Sequence, residues 1–278
     1  MNIAAIQTFL CVVRTHNLNL AAAELSVTQS AVTARLDALE QTLGQKLLLR
    51  SRKGATLTKA GFAFLDQAEV ISQGWETAKS LAKLPEGLTG LFSFCCDPAL
   101  WQGLGQTWIN DTEKHNPDFA IEVWSGETTT AMKWLQSGLC DVALLTQPLL
   151  GEEINSREFS KERLLLVSTQ PREAMTWDPA YVYVDYGSTV RRQHAIAWPG
   201  DETARMTFSN PEWALGYLLD QGGSAYLPQR LVNPFIASSQ LFRVETVVEF
   251  ERNTYLSWRR HSESAFPWLT SAHETPGE

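Results

Sequence analysis

Cysteine is scarce in this 278-residue chain, and its four copies (Cys11, Cys95, Cys96, Cys140) show no metal-ligand spacing. Cys95 and Cys96 are adjacent in an apolar run. Neighbours on a strand point to opposite faces, so a bridge between them would be strained, and buried reduced thiols in a cytosolic protein are expected. No uninterrupted stretch of 18 apolar residues occurs, and the opening MNIAAIQTFLCVV lacks a basic n-region and soon meets Arg14 and His16. Neither a secretory leader nor a membrane span is expected, and the chain reads as cytoplasmic. Catalytic signatures are missing too: there is no G-x-S-x-G, no H-E-x-x-H, no P-loop and no G-x-G-x-x-G behind a strand. The five histidines are dispersed and Asp97 has no evident partner. An enzyme is therefore not expected, nor a metal or a cofactor. Internal repeats and low-complexity tracts are absent as well.

What is present is an ordinary globular composition, 44% hydrophobic, on a length that suits two or three modules. The net charge of −8 argues against a polyanion partner until its distribution is followed. Residues 1–60 hold seven basic and three acidic residues, net +4, whereas the remainder holds 16 basic and 28 acidic, net −12. A basic head on an acidic body fits a polyanion-binding module joined to one that does not touch the polyanion. Chance clustering is the alternative that charge alone leaves open.

The head carries helical periodicity. Ile3, Ile6, Phe9, Leu10 and Val13 predict a helix over 3–15. Asn19 is an N-cap candidate for a short helix over 20–25, and Thr28 for a third helix to about Gln41, with Val32, Leu36, Leu39 and Leu43 turned inward. Two helices joined by a tight turn behind a supporting helix make a helix-turn-helix. Two short strands follow, Leu47–Leu49 and Thr56–Thr58, flanking the basic tip Arg50-Ser51-Arg52-Lys53-Gly54, which reads as a wing. A long helix is predicted from Lys59 to about Leu84, capped by Thr58. On it, Phe64, Ala68, Ile71, Trp75, Ala78 and Ala82 alternate at spacings of four and three, the pattern of a coiled-coil dimer seam. Packing of that stripe on the helix's own domain is the other reading.

Beyond residue 90, β and α segments alternate. Strands are predicted at 91–95, 120–124, 141–145, 163–168, 181–184, 205–208, 224–226 and 246–251. Helices are predicted at 98–115, 129–137, 211–221 and 264–269. That alternation implies parallel sheets and an α/β module. The last residues, 275–278, read as a loose tail.

The segment AAAELSVTQSAVTARLDALEQTLGQKLLLRSRKGATLTKAG, residues 21–61, closely resembles the head of LysR-type transcriptional regulators. Farther on, Leu135-x-x-Gly138-x-x-Asp141 before a strand and Gly222-Gly223-Ser224-Ala225-Tyr226-Leu227-Pro228 resemble recurrent marks of that family's effector domain. Within the family, Asp97-Pro98-Ala99-Leu100-Trp101 and Asp185-Tyr186-Gly187 with Gln193-His194 are similar to the HdfR subgroup. Many relatives carry Gly-Ser where this chain has His16-Asn17, and Phe at the position of Leu48; Asn can serve the turn and Leu the core.

The resemblance implies an α plus α/β architecture: a winged helix-turn-helix over 1–58, a linker and dimerisation helix over 59–88, and a two-lobed α/β effector domain over 89–278 that resembles type 2 periplasmic binding proteins. Lobe 1 is expected at about 91–161 plus 259–272 and lobe 2 at about 162–258. It also implies double-stranded DNA as partner, a homodimer or homotetramer, and a small-molecule effector and RNA polymerase as further candidate partners. A solute-binding transport protein would suit the back half but not the basic head. A back half that serves only assembly, with no ligand, stays open.

One α-helix fits the major groove of B-DNA, and the second helix of such a motif enters it by its leading end. Thr28, Gln29, Ser30, Thr33 and Ala34 lie there. Gln29 has the groups to bond adenine bidentately, Ser30 and Thr33 to bond bases or phosphates, and Arg35 to reach guanine or phosphate. Capping and surface filling are the plainer roles for Ser30 and Thr33. Arg50, Arg52 and Lys53 would neutralise phosphates. In the back half, ligands of open α/β sheets sit beyond the carboxyl ends of strands, near helix N-termini. By that rule Asp97, Pro98, Trp101, Ser125, Gly126, Thr146 and Gln147 are candidates from the first lobe, and Tyr186 and Asn210 from the second. Helix capping or core packing is the alternative for each. Among the ten tryptophans, Trp101, Trp124 and Trp134 are cleft candidates, although most large aromatics are core. Arg191-Arg192 has the charge to hold an anion, or to sit solvated in a loop.

Two substitutions separate these roles. In binding titrations, Arg52→Ala is expected to weaken all duplexes about equally and to lower the salt slope by about one unit. Gln29→Ala is expected to relax sequence preference; unchanged specificity would overturn the placement of the reading helix.

Overall fold

The computed structural model describes residues 2–51, 54–172, 178–200, 204–245 and 247–270. Two units are distinct, one built on Met1–Gly90 and one on the chain from Leu91.

In the first unit, α1 (Ile3–Thr15) is capped by Asn2 and ends where His16 turns left-handed, φ 53°. The helix α2 (Leu18–Glu24) starts earlier than expected, because Asn17 and not Asn19 is its cap: Asn17 Oδ1 accepts from the amides of Asn19 and Leu20. Thr28 caps α3 (Gln29–Leu43) by accepting from the Ala31 amide at 3.2 Å, and Gly44 ends it at φ 66°. Val32, Leu36 and Leu39 are buried in one core with Ile6, Phe9 and Val12, while Leu43, expected on the same stripe, is exposed. The strands β1 (Leu48–Ser51) and β2 (Gly54–Leu57) pair antiparallel, Leu48 opposite Leu57 and Ser51 opposite Gly54. The expected wing residues Arg52 and Lys53 lie outside the described residues.

Two glycines hold backbone against backbone here. A Cβ on Gly54 would sit 2.4 Å from the His16 carbonyl oxygen, the same atom that accepts from the Ala55 amide at 2.9 Å. A Cβ on Gly61 would sit 2.1 Å from the Leu47 carbonyl oxygen. Side chains larger than hydrogen would push the hairpin off the helices.

Thr58 caps α4 (Lys59–Leu81), again as expected. The stripe on this helix divides. Ala68 is fully buried in the head core, Phe64 and Ile71 pack against that core, and the Phe64 ring lies 5.5 Å from Phe9. These three seam positions are therefore spent on the chain's own domain, because α1 already offers them an apolar face. Trp75, Ala78 and Ala82 remain, with Trp75 and Ala78 exposed on the last turns of α4 and Ala82 exposed at its C-cap.

The second unit runs β3 (Gly90–Cys96), α5 (Gln106–His115), β4 (Phe119–Ser125), α6 (Thr128–Ser137), β5 (Val142–Leu145), β6 (Ile154–Ser168), β7 (Val182–Val184), α7 (Ser188–Ala197), β8 (Met206–Phe208), α8 (Pro211–Gln221), β9 (Ser224–Pro228), α9 (Gln229–Ala237), β10 (Phe242–Arg243), β11 (Phe250–Arg259) and α10 (Ser262–Ala265). Its main sheet has the order β10-β6-β11-β5-β3-β4, with β9 also on β6. Parallel pairing, expected throughout, holds for β3 with β5 and for β7 with β8. The pairs β6/β11, β11/β5, β6/β9 and β10/β6 are antiparallel. Two long strands cause the difference: β6 and β11 are predicted at 163–168 and 246–251, but they span 15 and 10 residues and pair from Ile154 opposite Arg259 to Leu164 opposite Phe250.

Separate apolar clusters pack at either end of that pair. Phe159, Leu256 and Trp258 join Phe92, Phe94, Trp108 and Phe266. Leu164 and Phe250 join Tyr181, Val190 and Tyr226, and Leu165 and Val167 join Val182, Leu218 and Leu227. Leu256 and Trp258, expected in the second lobe by a boundary at residue 258, pack with Phe92 and Phe94 near the start of the unit. Cys95 and Cys96 do face opposite sides: Cys95 packs with Leu135 and Leu145, Cys96 with Leu100 and Leu144, and all four cysteines are free and buried.

Other segments depart from expectation for local reasons. The helix predicted over 98–115 breaks at Gln102 and Gly103, where Gly103 takes φ 86° under the side chain of Arg230. The helix predicted at 264–269 splits at Phe266 into α10 and a 3-10 turn, Pro267–Leu269. The helices α7 and α9 go beyond the predicted set; Pro234 inside α9 and the Arg191-Arg192 pair in α7 mask them.

Glu40 fixes the geometry of the head. Its side chain is 3% exposed, and it accepts from the amides of Leu47 at 2.9 Å and Leu48 at 3.2 Å, from Lys46 at 2.7 Å and from Arg50 at 3.4 Å. Burial alone raises its pKa, but the Lys46 hydrogen bond and the two amides outweigh this and hold it below the ordinary glutamate value. A lowered folded pKa gives stability that is complete above roughly pH 4.3 and is lost as pH falls through the lower folded value. Glu40→Gln is expected to cost about 2–4 kcal/mol at neutral pH in urea unfolding. The variant and parent curves should converge in acid.

Candidate functional site

At the leading end of α3, Thr28, Gln29, Ser30 and Ala34 are exposed, Thr33 is half-buried, and the buried stripe lies on the other side of the helix. Thr28 is engaged as the cap, and its hydroxyl shares a hydrogen bond of 2.9 Å with Ser30. Those two therefore already do the capping work that was the plainer reading of Ser30. Arg35 is half-buried and reaches back towards Thr8 of α1 at 3.5 Å. Arg50 also turns inward: its guanidinium pairs with Asp37 at 2.9 Å and Glu40 at 3.4 Å. Of the expected reading residues, that leaves Gln29 and Ala34 exposed and Thr33 half-buried at the leading end.

In the second unit a cavity of about 600 Å³ is bounded by the segment after β5, the start of α7 and the middle of β6 and β11. Of the expected effector residues, Thr146, Gln147 and Tyr186 line it. The others do not. Asp97 Oδ1 caps the turn Pro98–Leu100 by accepting from Ala99, and burial raises its pKa above the ordinary range. Trp101 packs against the Phe92 cluster. Gly126 is buried where a Cβ would meet Cys95 Sγ at 2.9 Å, and Ser125 and Pro98 are exposed outside the cavity lining. Asn210 caps α8, accepting from Glu212 and Trp213. Capping thus explains Asp97 and Asn210, and core packing explains Trp101 and Gly126.

The wall of the cavity also holds residues beyond those expected: Lys161, Ser188, Gln193, Glu251 and Arg252. Glu162 and Arg252 sit directly opposite each other in the β6/β11 register. Glu162 accepts from Arg252 Nε at 2.6 Å and from Arg230 Nε at 2.5 Å. Arg230 donates in turn to the carbonyls of Ala99, at 2.6 Å, and Gln102. Arg252 lies 4.8 Å over the Tyr186 ring, whose hydroxyl donates to the Tyr226 carbonyl at 2.9 Å. Burial pushes the Tyr186 phenol well above its ordinary value, so it acts as a neutral donor. Sequence reasoning missed this group because its partners are some 70 to 130 residues apart, and a charged residue within a strand ordinarily faces solvent. Gly187 before Ser188-Thr189, ahead of apolar positions at helical spacing, was the legible signal for α7.

Residues 3–62 match the family described as bacterial regulatory helix-turn-helix protein, lysR family, and residues 85–268 match the LysR substrate binding domain. The HTH-type transcriptional regulator HdfR of Salmonella schwarzengrund is 26% identical over 267 residues, 95% of this chain and 94% of that protein. HdfR of Yersinia enterocolitica is 26% identical over 240 residues, 82% of each. Among solved structures, full-length CbnR complexed with its target DNA is similar with a TM-score of 0.69 at 17% identity, covering 94% of both chains. Vibrio fischeri DarR in complex with DNA has a TM-score of 0.59 at 20% identity, covering 98% of this chain and 99% of that one. The likeness to HdfR expected from the back half is borne out by these relatives. With both of its family domains matched across most of its length, the chain belongs to the LysR family of bacterial transcriptional regulators.

Proposed function

We propose that this regulator reads duplex DNA in the cytoplasm with the outward face of α3, and that a small molecule in the cavity of the second unit tunes its activity. The observation that carries the first part is the division of labour along α3. Val32, Leu36 and Leu39 hold the helix in the core, while Gln29 and Ala34 are exposed and Thr33 half-buried, with groups suited to base edges. Structures of relatives in complex with DNA, CbnR and DarR, support the same use of the head. With Arg50 held by Asp37 and Glu40, the backbone-gripping charge of the wing falls to Arg52 and Lys53. The free end of α4, with Trp75, Ala78 and Ala82, is the surface for pairing with a second copy, which would present two heads to two half-sites.

A cavity whose wall mixes polar and apolar groups favours ligand sensing over a purely assembling role for the second unit, and a relative, LysG of Corynebacterium glutamicum, has been solved with arginine bound as effector. Lobe 1 over residues 91–161 with the C-terminal turns, and lobe 2 from 162 to the start of β11, would flank that cavity.

Selection of bound duplexes followed by anisotropy titration tests the DNA reading. Binding is expected to weaken steeply with salt, and Thr33→Ala is expected to lower discrimination at one position by a factor of about 5 to 100. Absence of any salt-sensitive association with duplexes from the source genome would overturn it.

A further inference from the structure

Residues 1–60 carry three acids among seven cations, and two of those acids are committed within the head. Glu24 pairs with Arg14, and Glu40 is buried against the amides of Leu47 and Leu48. The third, Asp37, stands on the outside. Its side chain is 52% exposed. It follows Ser30 and Ala34 at spacings of four and three, so the three share one exposed stripe of α3. That stripe begins with two of the expected reading residues and continues into a carboxylate, a group that phosphates repel.

Asp37 is occupied by the hairpin. Arg50 Nη2 donates to its Oδ1 at 2.9 Å, and Lys46 Nζ lies 3.8 Å from the same oxygen. Glu40 Oε2 is the second acceptor for both cations, with Lys46 at 2.7 Å and Arg50 at 3.4 Å. Glu40 is thus the near partner of Lys46, and Asp37 that of Arg50. The two cations and two carboxylates cancel at the start of β1, where Arg50 opens the run Arg50-Ser51-Arg52-Lys53. Folding gains little from the Asp37 pair, because ion pairs this exposed add little to stability. Its effect falls on the guanidinium. An arginine that neutralises a phosphate adds about 0.9 to the salt slope of DNA binding, and one held by a carboxylate adds nothing.

We propose that Asp37 is a positioning residue that restrains DNA affinity: by holding Arg50 against α3 it keeps one cation of the hairpin from the phosphate backbone, and so sets the head's sequence-independent grip. The proposal rests on reading α3 and the hairpin as the DNA-facing side. The restraint acts on backbone contacts alone. It therefore scales the affinity for every duplex by one factor and leaves base preference to Gln29 and its neighbours.

The test uses the full chain and anisotropy titrations of one random-sequence and one selected duplex, between about 50 and 300 mM salt. Asp37→Asn is expected to bind both duplexes about 3 to 10 times more tightly at the lower salt and to steepen the slope by about 0.9. Asp37→Glu, which keeps the carboxylate, is expected to behave as the parent. In an Arg50→Gln background the slope increment from Asp37→Asn is expected to disappear. An increment that persists without Arg50 shows that charge acts through space rather than through the clamp, and overturns the proposal. So does unchanged affinity in Asp37→Asn, or a change confined to the selected duplex, which would make Asp37 a reader of cytosine. Circular dichroism accompanies each variant, and an unfolded Asp37→Asn would show the pair to be structural and overturn the proposal as well. Gln29→Ala and Arg52→Ala are titrated alongside. If they alter binding and Asp37→Asn does not, the restraint alone falls; if none of the three does, the placement of the DNA-facing side falls with it.

Discussion

The antiparallel pairing of β6 with β11 is the constraint on which the second unit depends. Its one end lies among Phe159, Leu256 and Trp258 with the Phe92 cluster, and its other end among Leu164 and Phe250 with the Tyr181 cluster. The strands therefore cannot slip by one residue without turning both cores inside out. Between those ends, apolar packing gives way to Glu162 opposite Arg252. A buried ion pair at that point stabilises little in itself. It does fix register, and it holds a guanidinium at the cavity wall in one orientation.

The head uses a carboxylate in a comparable way. Glu40, on α3, collects two backbone amides from the approach to β1 and the cations Lys46 and Arg50. It thereby links α3 to the β1/β2 hairpin. Glu162 and Glu40 differ in their surroundings: Glu40 is satisfied by amides of the neighbouring chain segment, whereas Glu162 is satisfied by two arginines from β11 and α9, far apart in sequence.

Local chemistry sets which parts of the fold are legible in the sequence. The caps at Thr28 and Thr58 and the helix 211–221 were legible because a polar cap precedes apolar residues at helical spacing within one segment. Asn17 displaced Asn19 because both were chemically competent and only the left-handed turn at His16 decides between them. The stripe on α4 divides for a related reason. Periodicity identifies the apolar face of a helix but not its partner, and Phe64, Ala68 and Ile71 found theirs within the head. The cavity was legible only at Thr146, Gln147 and Tyr186, which follow strands. Arg252 lay outside any motif, since its role is set by a register pairing 90 residues away.

The two faces of α3 separate tasks that most helices combine. Packing falls on Val32, Leu36 and Leu39, anchoring to the hairpin on Glu40, and the outward chemistry on Gln29, Thr33 and Ala34. Exchanging the outward set costs the domain almost nothing in stability. A lineage carrying this head is thereby free to vary the exposed end of α3 by single substitutions, without passing through unfolded intermediates.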